Sequence, residues 1–354
     1  MSSLWTEFNN IKQINMVNYK GGLTPKQLKI KYPLADIICN LTLYVLANGI
    51  NFVSVEDENV KDGYLGGDGI GIVGKKNLTW CTAKEAYASE DIRDFCGGFP
   101  PLVKDGKKFV DKDGKFYWGA KYSSYVDGTH KRVLIGFNKG LLILVATDNA
   151  ITLHKAADIM ISFGCDYAIN GDGGLWSPHL QKGNKVIRQG YRKNPTWLLI
   201  YLDKRKEFIK LALDQVGKSY IWGANGEILT PSLLNRFISW FGKSHYVNSS
   251  FDVTKTAQMG KEAFDCSGLI VYLLRELGLI SGSQDYNAAM LYAKCGHISF
   301  NDIKDGDLIF YSNLGHVGIY NQGNIIEARG SKYGVVITKR IKDFTKVGRL
   351  HLLD

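Results

Sequence analysis

The sequence predicts an α+β protein of two domains, and three observations carry that prediction. At 354 residues, 45% of them hydrophobic, the chain is long enough to bury two cores of ordinary size. Residues 1–203 alternate short β-rich runs with one well-marked helix, the pattern of a mixed α/β domain. Residues 204–354 place a helix led by Cys266 before β-rich runs, one of which opens at His316.

In the first domain the β-rich runs fall at 35–39, 69–73, 133–137, 141–146 and 197–202. A helix is expected over 153–163, with Ala156, Ala157, Ile159, Met160 and Phe163 along one side and a stop at Gly164. A short strand at Tyr167-Ala168-Ile169 then runs into Asn170-Gly171-Asp172-Gly173-Gly174. Glycines around an aspartate at a strand end let backbone approach a ligand closely, and the aspartate can serve as acid, base or metal ligand. The same string also fits a tight turn whose Asp172 caps local backbone groups. The uncharged stretch 37–55 carries Asn40, Thr42, Asn48, Gly49, Asn51 and Ser54, which are costly in hydrocarbon; it reads as buried strands with a turn at Asn48-Gly49.

The domain boundary is expected at the charged step Asp203-Lys204-Arg205-Lys206, followed by a helix over 207–215. Leu233, Leu234, Phe237, Ile238, Trp240 and Phe241 make an apolar helical face, read as packing or as a lip of a substrate groove. At Phe264-Asp265-Cys266-Ser267-Gly268, Asp265 and Ser267 suit a helix start, and Gly278 suits its stop. A thiol there sees the positive end of the helix dipole, which favours thiolate. Gly315-His316-Val317-Gly318 and Asn324-Ile325-Ile326-Glu327 flank a turn at Asn321-Gln322-Gly323. Nucleophile, base and orienting group thus follow in order as Cys266, His316 and Glu327.

The formal charge is +10, with 19 Lys and Arg against 14 Asp and Glu from Lys204 onward and 25 against 20 before it. An even positive field favours anionic partners: nucleic acid, a membrane surface or the teichoic acids of a Gram-positive wall. No helix-turn-helix, zinc-finger or RNA-binding signature accompanies the charge, so nucleic acid is the weaker reading. Met1-Ser2-Ser3-Leu4-Trp5 does not read as a signal peptide, and a soluble protein is expected. Cys39, Cys81, Cys96, Cys165 and Cys295 show no Cys-x-x-Cys pair and no metal-type spacing with histidine, and read as buried thiols.

Asp265-Cys266-Ser267-Gly268, Gly306-Asp307-Leu308-Ile309-Phe310, His316-Val317-Gly318-Ile319-Tyr320 and Gly217-Lys218-Ser219-Tyr220-Ile221-Trp222-Gly223 resemble the NlpC/P60 family of cell-wall cysteine peptidases, over roughly residues 205–354. The resemblance implies a papain-like domain in which the Cys266 helix packs on an antiparallel sheet bearing His316. It implies Cys266 as nucleophile, His316 as base and acid, and Glu327 in a place where the family more often has His, Asn or Gln. Tyr220, Asp265 and Ser267 become substrate or oxyanion contacts. Peptidoglycan stem peptides, cut typically after D-γ-glutamyl, become the substrate, with no cofactor. His297 and Cys295 lack motif context and read as structural.

Cys96-Gly97-Gly98-Phe99-Pro100, Lys131-Arg132-Val133-Leu134-Ile135-Gly136, Cys39-Asn40 and the segment 140–174 resemble the phosphodiester glycosidase domain related to the lysosomal mannose-6-phosphate uncovering enzyme. Leu175-Trp176-Ser177 and Leu41-Thr42-Leu43 depart from that family's glycine-rich pattern. The resemblance places Asn40, Arg132, Asn170, Asp172, Gly173 and Gly174 in a site, with Asp172 offering a ligand to a divalent cation. Arg132 suits a phosphodiester held by a planar guanidinium, or is a surface arginine beside His130 and Lys131. Trp176 would stack on a sugar or take a core or interface role; His154 and His179 read as structural or exposed. Together the two resemblances imply a phage-type lysin for a Gram-positive wall, released by a holin or carried on a phage tail. The alternatives are a peptidase whose first domain only binds the wall, and a structural tail-tip protein.

Overall fold

Residues Arg132–Phe137 and Leu141–Ala146 are apolar at every second position on both faces, so each strand must be covered twice. The computed structural model, which describes residues 2–41, 52–54, 68–97, 100–116, 128–174, 178–248, 251–253 and 259–354, shows both covers. The two strands pair antiparallel, Leu134 opposite Val145 and Ile135 opposite Leu144. Val133, Ile135, Leu142 and Leu144 enter one core with Ile14, Ile37, Leu198 and Ile200 of a second sheet. Leu134, Ile143 and Val145 meet Ala156, Ala157 and Met160 of the helix Leu153–Ser162. That helix starts where Thr152 accepts the Lys155 N–H and stops at Gly164 (φ +75°), within a residue of expectation.

The chain divides into two units, Met1–Leu202 and Asp203–Asp354. In the first, a six-stranded antiparallel sheet runs Ser2–Glu7, Leu141–Ala146, Arg132–Phe137, Tyr167–Gly173, Pro101–Lys104, Lys107–Lys108. A five-stranded sheet runs Lys185–Arg188, Leu180–Lys182, Ile37–Asn40, Asn194–Leu202, Ile11–Leu23. The strand expected to end at Ile169 instead continues through Asn170-Gly171-Asp172 to Gly173, pairing with Arg132–Phe137 across a bulge. The thirteen-residue strand Ile11–Leu23, which sequence reading passed over, lies at a sheet edge, where Lys12, Gln13 and Asn15 can face outward. The turn expected at Asn48-Gly49, and Leu175-Trp176-Ser177, lie outside the described residues, as does the side chain of Asp172.

In the second unit, Asp203 caps the helix Lys204–Asp214 by accepting the Lys206 N–H, and the Cys266–Glu276 helix follows. A six-stranded antiparallel sheet runs Gly296–Ile298, Lys346–Arg349, Leu308–Phe310, Val317–Asn321, Asn324–Gly330, Gly334–Thr338. Leu269, Ile270, Leu273 and Leu274 of the cysteine helix share a core with Phe310, Val317, Ile319 and Ile326 of that sheet. The hairpin closes on Gln322 (φ +49°) and Gly323 (φ +76°), two left-handed residues that match the twist of the flanking strands. The α+β class read from sequence holds. The apolar face of Pro231–Phe241 packs through Leu233, Leu234 and Phe237 into a small core with Ile221 and Tyr246, while Trp240 stays exposed.

Candidate functional site

Cys266 is the first residue of its helix, and Asp265 is the cap that sets it. Asp265 Oδ1 accepts the Gly268 N–H at 2.7 Å and the Ser267 hydroxyl at 3.0 Å; Oδ2 accepts the Gly223 N–H at 2.8 Å. One carboxylate therefore satisfies a helix-start donor and pins the incoming Trp222-Gly223 segment. Gly268 is required by the same seam, since a Cβ there would stand 2.0 Å from the Ala224 carbonyl oxygen. Ser267 spends its hydroxyl on Asp265, so it supports the cap. Tyr220 is buried beside the thiol, its hydroxyl pushed up by burial and then by Cys266 and Asp265.

The imidazole arrives from the sheet. His316 precedes the strand Val317–Asn321, and its Nε2–H donates to Glu327 Oε2 at 2.7 Å. Both are buried, Glu327 completely. With Nε2 committed, Nδ1 is the ring nitrogen left to exchange a proton with a nucleophile. The N–H of the next residue, Val317, points at the Cys266 sulfur, together with the N–H groups of Cys266 and Ser267. Cys266, Tyr220, Asp265, Ser267 and Val317 thus meet at one helix start, and His316 adjoins them carrying Glu327.

The thiol departs from expectation. The helix N-terminus was expected to favour thiolate, but burial, and then the adjacent Asp265 carboxylate, push the Cys266 thiol up to about 12 despite those N–H donors. A neutral thiol in this pocket reacts only when a base removes its proton as the sulfur attacks. Sequence reading also passed over two partners of Glu327: the Thr338 hydroxyl donates to Oε1 at 2.6 Å, and Arg340 Nε lies 3.3 Å from the same atom. The sequence signal available was a threonine and an arginine one strand beyond Glu327.

In the first unit, Asn40 ends its strand fully buried and accepts the His179 N–H at 2.7 Å through Oδ1. Gly171 lets the neighbouring sheet close on that end, because a Cβ would lie 2.5 Å from the Leu41 oxygen. Beside it, Asn170 Oδ1 accepts from Arg132 Nη1 at 3.2 Å, and Arg132 also donates from Nε to the Ile151 carbonyl and from Nη2 to the Gly128 carbonyl, both at 3.0 Å. Gly173 pairs with Arg132, and the Gly174 N–H donates to the Lys131 carbonyl at 2.8 Å. Asn40, Arg132, Asn170, Gly173 and Gly174 therefore converge. Arg132 is fully buried, so it is not a surface arginine; its donors reach the loop carbonyls and Asn170. His179 is buried against Asn40 and held down to about 4 by burial, with Gln181 pulling the other way. Among the described residues no three His, Cys, Asp or Glu side chains gather as a metal site needs, and no helix is long and apolar enough to cross a membrane.

Residues 40–201 match the family model for phosphodiester glycosidases, and residues 240–346 match that for the NlpC/P60 family. The chain is 40% identical over 75 residues to the probable endopeptidase p60 of Listeria grayi, covering 20% of this chain and 14% of that protein. It is 26% identical over 121 residues to the murein DD-endopeptidase MepH of Escherichia coli K12, covering 32% and 42%. The chain thus spans less than half the length of these curated relatives. The catalytic domain of zebrafish N-acetylglucosamine-1-phosphodiester alpha-N-acetylglucosaminidase, auto-inhibited by its pro-peptide, superposes with a TM-score of 0.45 at 16% identity, over 56% of this chain and 76% of that one.

Proposed function

For a chain that carries an N-terminal phosphodiester glycosidase domain and a C-terminal NlpC/P60 domain, we propose a wall hydrolase whose C-terminal domain is a cysteine endopeptidase acting on peptidoglycan stem peptides. The observation that carries this reading is the buried His316–Glu327 contact of 2.7 Å, which leaves Nδ1 for the proton of a thiol whose own pocket keeps it neutral. Cys266 Sγ attacks the peptide carbonyl while its proton moves to His316 Nδ1. The Cys266 N–H at the helix start stabilises the oxyanion. His316 then gives the proton to the departing amine, leaving a thioester on Cys266. Water, deprotonated by His316, hydrolyses that thioester and restores the thiol. Glu327 holds the ring in the tautomer this needs and stabilises the imidazolium.

The N-terminal domain, on the same reading, hydrolyses a sugar phosphodiester such as teichoic acid through Asn40, Asn170 and Asp172, with Arg132 orienting Asn170. Two domains for wall polymers in one basic chain suit a phage-type lysin, released by a holin or carried on a tail. The test is mass spectrometry of products from teichoic-acid-bearing sacculi. Loss of sugar-phosphate products in Asp172→Ala, with stem-peptide cleavage intact, is expected. Unchanged products in that variant would reduce the first domain to a wall-binding module.

A further inference from the structure

Glu327 has more partners than orienting an imidazole requires. Thr338 Oγ1 donates to Oε1, and Arg340 Nε stands 3.3 Å from the same oxygen, an ion pair without a hydrogen bond. Arg340 is itself fixed: Asp343 lies 3.5 Å from Nε, and the Tyr311 and Phe344 rings sit 5.5 and 5.7 Å from its guanidinium carbon. Those two rings also flank the His316 ring, at 4.9 and 5.8 Å between centroids. The cation is thus built into the wall of the imidazole pocket.

The chemistry shows why that matters. A fully buried carboxylate facing only an imidazole can take the proton itself, because two neutral groups are cheaper in a dry site than an ion pair. Once its Nε2 proton has passed to the carboxylate, the ring is a neutral imidazole whose remaining Nδ1–H is far too weak an acid to protonate a departing amine. A fixed cation on the far carboxylate oxygen, nearer to Glu327 than to His316, favours the ionised carboxylate. We propose that Arg340, with Thr338, is a positioning residue that keeps Glu327 ionised and aimed, so that when His316 Nδ1 takes the proton of Cys266 Sγ the Nε2 proton stays on the ring and does not pass to Glu327. This rests on the peptidase reading of His316. The groups facing the Glu327–His316 pair are Arg340 and Thr338 from the Gly334–Thr338 strand and the segment after it, and Tyr311 and Phe344 on the ring, with Asp343 behind Arg340; Cys266 stands against the N–H of Val317, the residue after His316, with Asp265 beside it.

The test uses the full chain with Arg340→Met, Arg340→Lys and Thr338→Val. Removing a cation lets every neighbouring group keep its proton to higher pH, so in Arg340→Met the acid limb of kcat/KM for stem-peptide cleavage should move up by about one unit. kcat at neutral pH should fall about tenfold or more with KM unchanged, and Arg340→Lys should restore the limb. Thr338→Val should lower kcat and move the limb the same way, but by less than Arg340→Met. Iodoacetamide labelling of Cys266 across pH, read by mass spectrometry, should show the same shift without any substrate, and Arg340→Gln replaces the methionine variant if that variant does not fold. A labelling limb that moves in a chain that cleaves nothing upholds the role of Arg340 and removes the peptidase reading. A limb that stays put while cleavage falls equally at every pH overturns the proposal.

Discussion

Gly268→Ala places one methyl group on the seam that seats the nucleophile. The added Cβ would stand 2.0 Å from the Ala224 carbonyl oxygen, 2.6 Å from Asn225 Oδ1 and 3.0 Å from the Ala224 carbonyl carbon. Ordinary contact begins near 3.4 Å, so helix and strand must part by about 1.4 Å. Neither side yields easily. The Ala224 oxygen accepts the Asp265 N–H at 2.8 Å, and Asp265 grips both Gly223 and Gly268. Overpacking of this kind costs about 1–3 kcal/mol, and a 1 Å misplacement of a reacting group costs about a hundredfold in rate. The variant should therefore unfold several degrees lower and cleave stem peptides about a hundredfold more slowly. Gly282→Ala, with nothing within 4 Å of its Cβ, is the matched control and should behave as wild type. Thermal unfolding and Cys266 labelling rates read the two effects. A Gly268→Ala chain with the wild-type melting point and labelling rate would refute this account of how the thiol is placed.

Burial holds His179 near 4, against about 6.5 for a solvated imidazole, so the folded chain refuses a proton that the unfolded chain accepts. Its contribution is complete above pH 6.5 and is lost as pH falls through 4, amounting to about 3 kcal/mol. His179→Gln should flatten that acid slope in thermal unfolding, and an unaltered slope would count against it. Asp265→Asn removes the charge that, after burial, raises the Cys266 thiol, so iodoacetamide labelling should begin at lower pH while stability drops by about 1–2 kcal/mol. Labelling that begins at higher pH would contradict that assignment. Arg132→Met removes the donor to the Gly128 carbonyl, one of two donors to the Ile151 carbonyl and the guanidinium contact to Asn170, and should cost about 2–4 kcal/mol by denaturant unfolding. A change under 0.5 kcal/mol would remove Arg132 from the scaffold of that site.

What the sequence made legible was local. Asp265 could be read as a cap because its neighbours announce a helix, and Gln322-Gly323 as a turn because two β-rich runs flank it. What depended on distant pairing was hidden. Thr338 and Arg340 reach Glu327 because Glu327 pairs opposite Val336 in an antiparallel ladder, a register no local pattern displays. Asp307 lies inside a quoted motif, yet its role emerges only when Arg205 and Arg349 meet its two oxygens at 2.8 and 2.7 Å. The helix dipole at Cys266 was visible in sequence, whereas the burial that overrides it belongs to the packed helix and sheet. The burial of Arg132 is hidden for a related reason, since nothing adjacent to it in sequence says that its guanidinium points inward.

If Cys266, served by His316, cuts stem peptides, cleavage must vanish with its thiol. Purified peptidoglycan incubated with the wild-type chain, or with Cys266→Ala at matched concentration and verified fold, and read by mass spectrometry of the soluble fragments, tests it most directly. Shortened stem peptides are expected from wild type and none from Cys266→Ala. Equal release by both chains, or none by wild type, would contradict it.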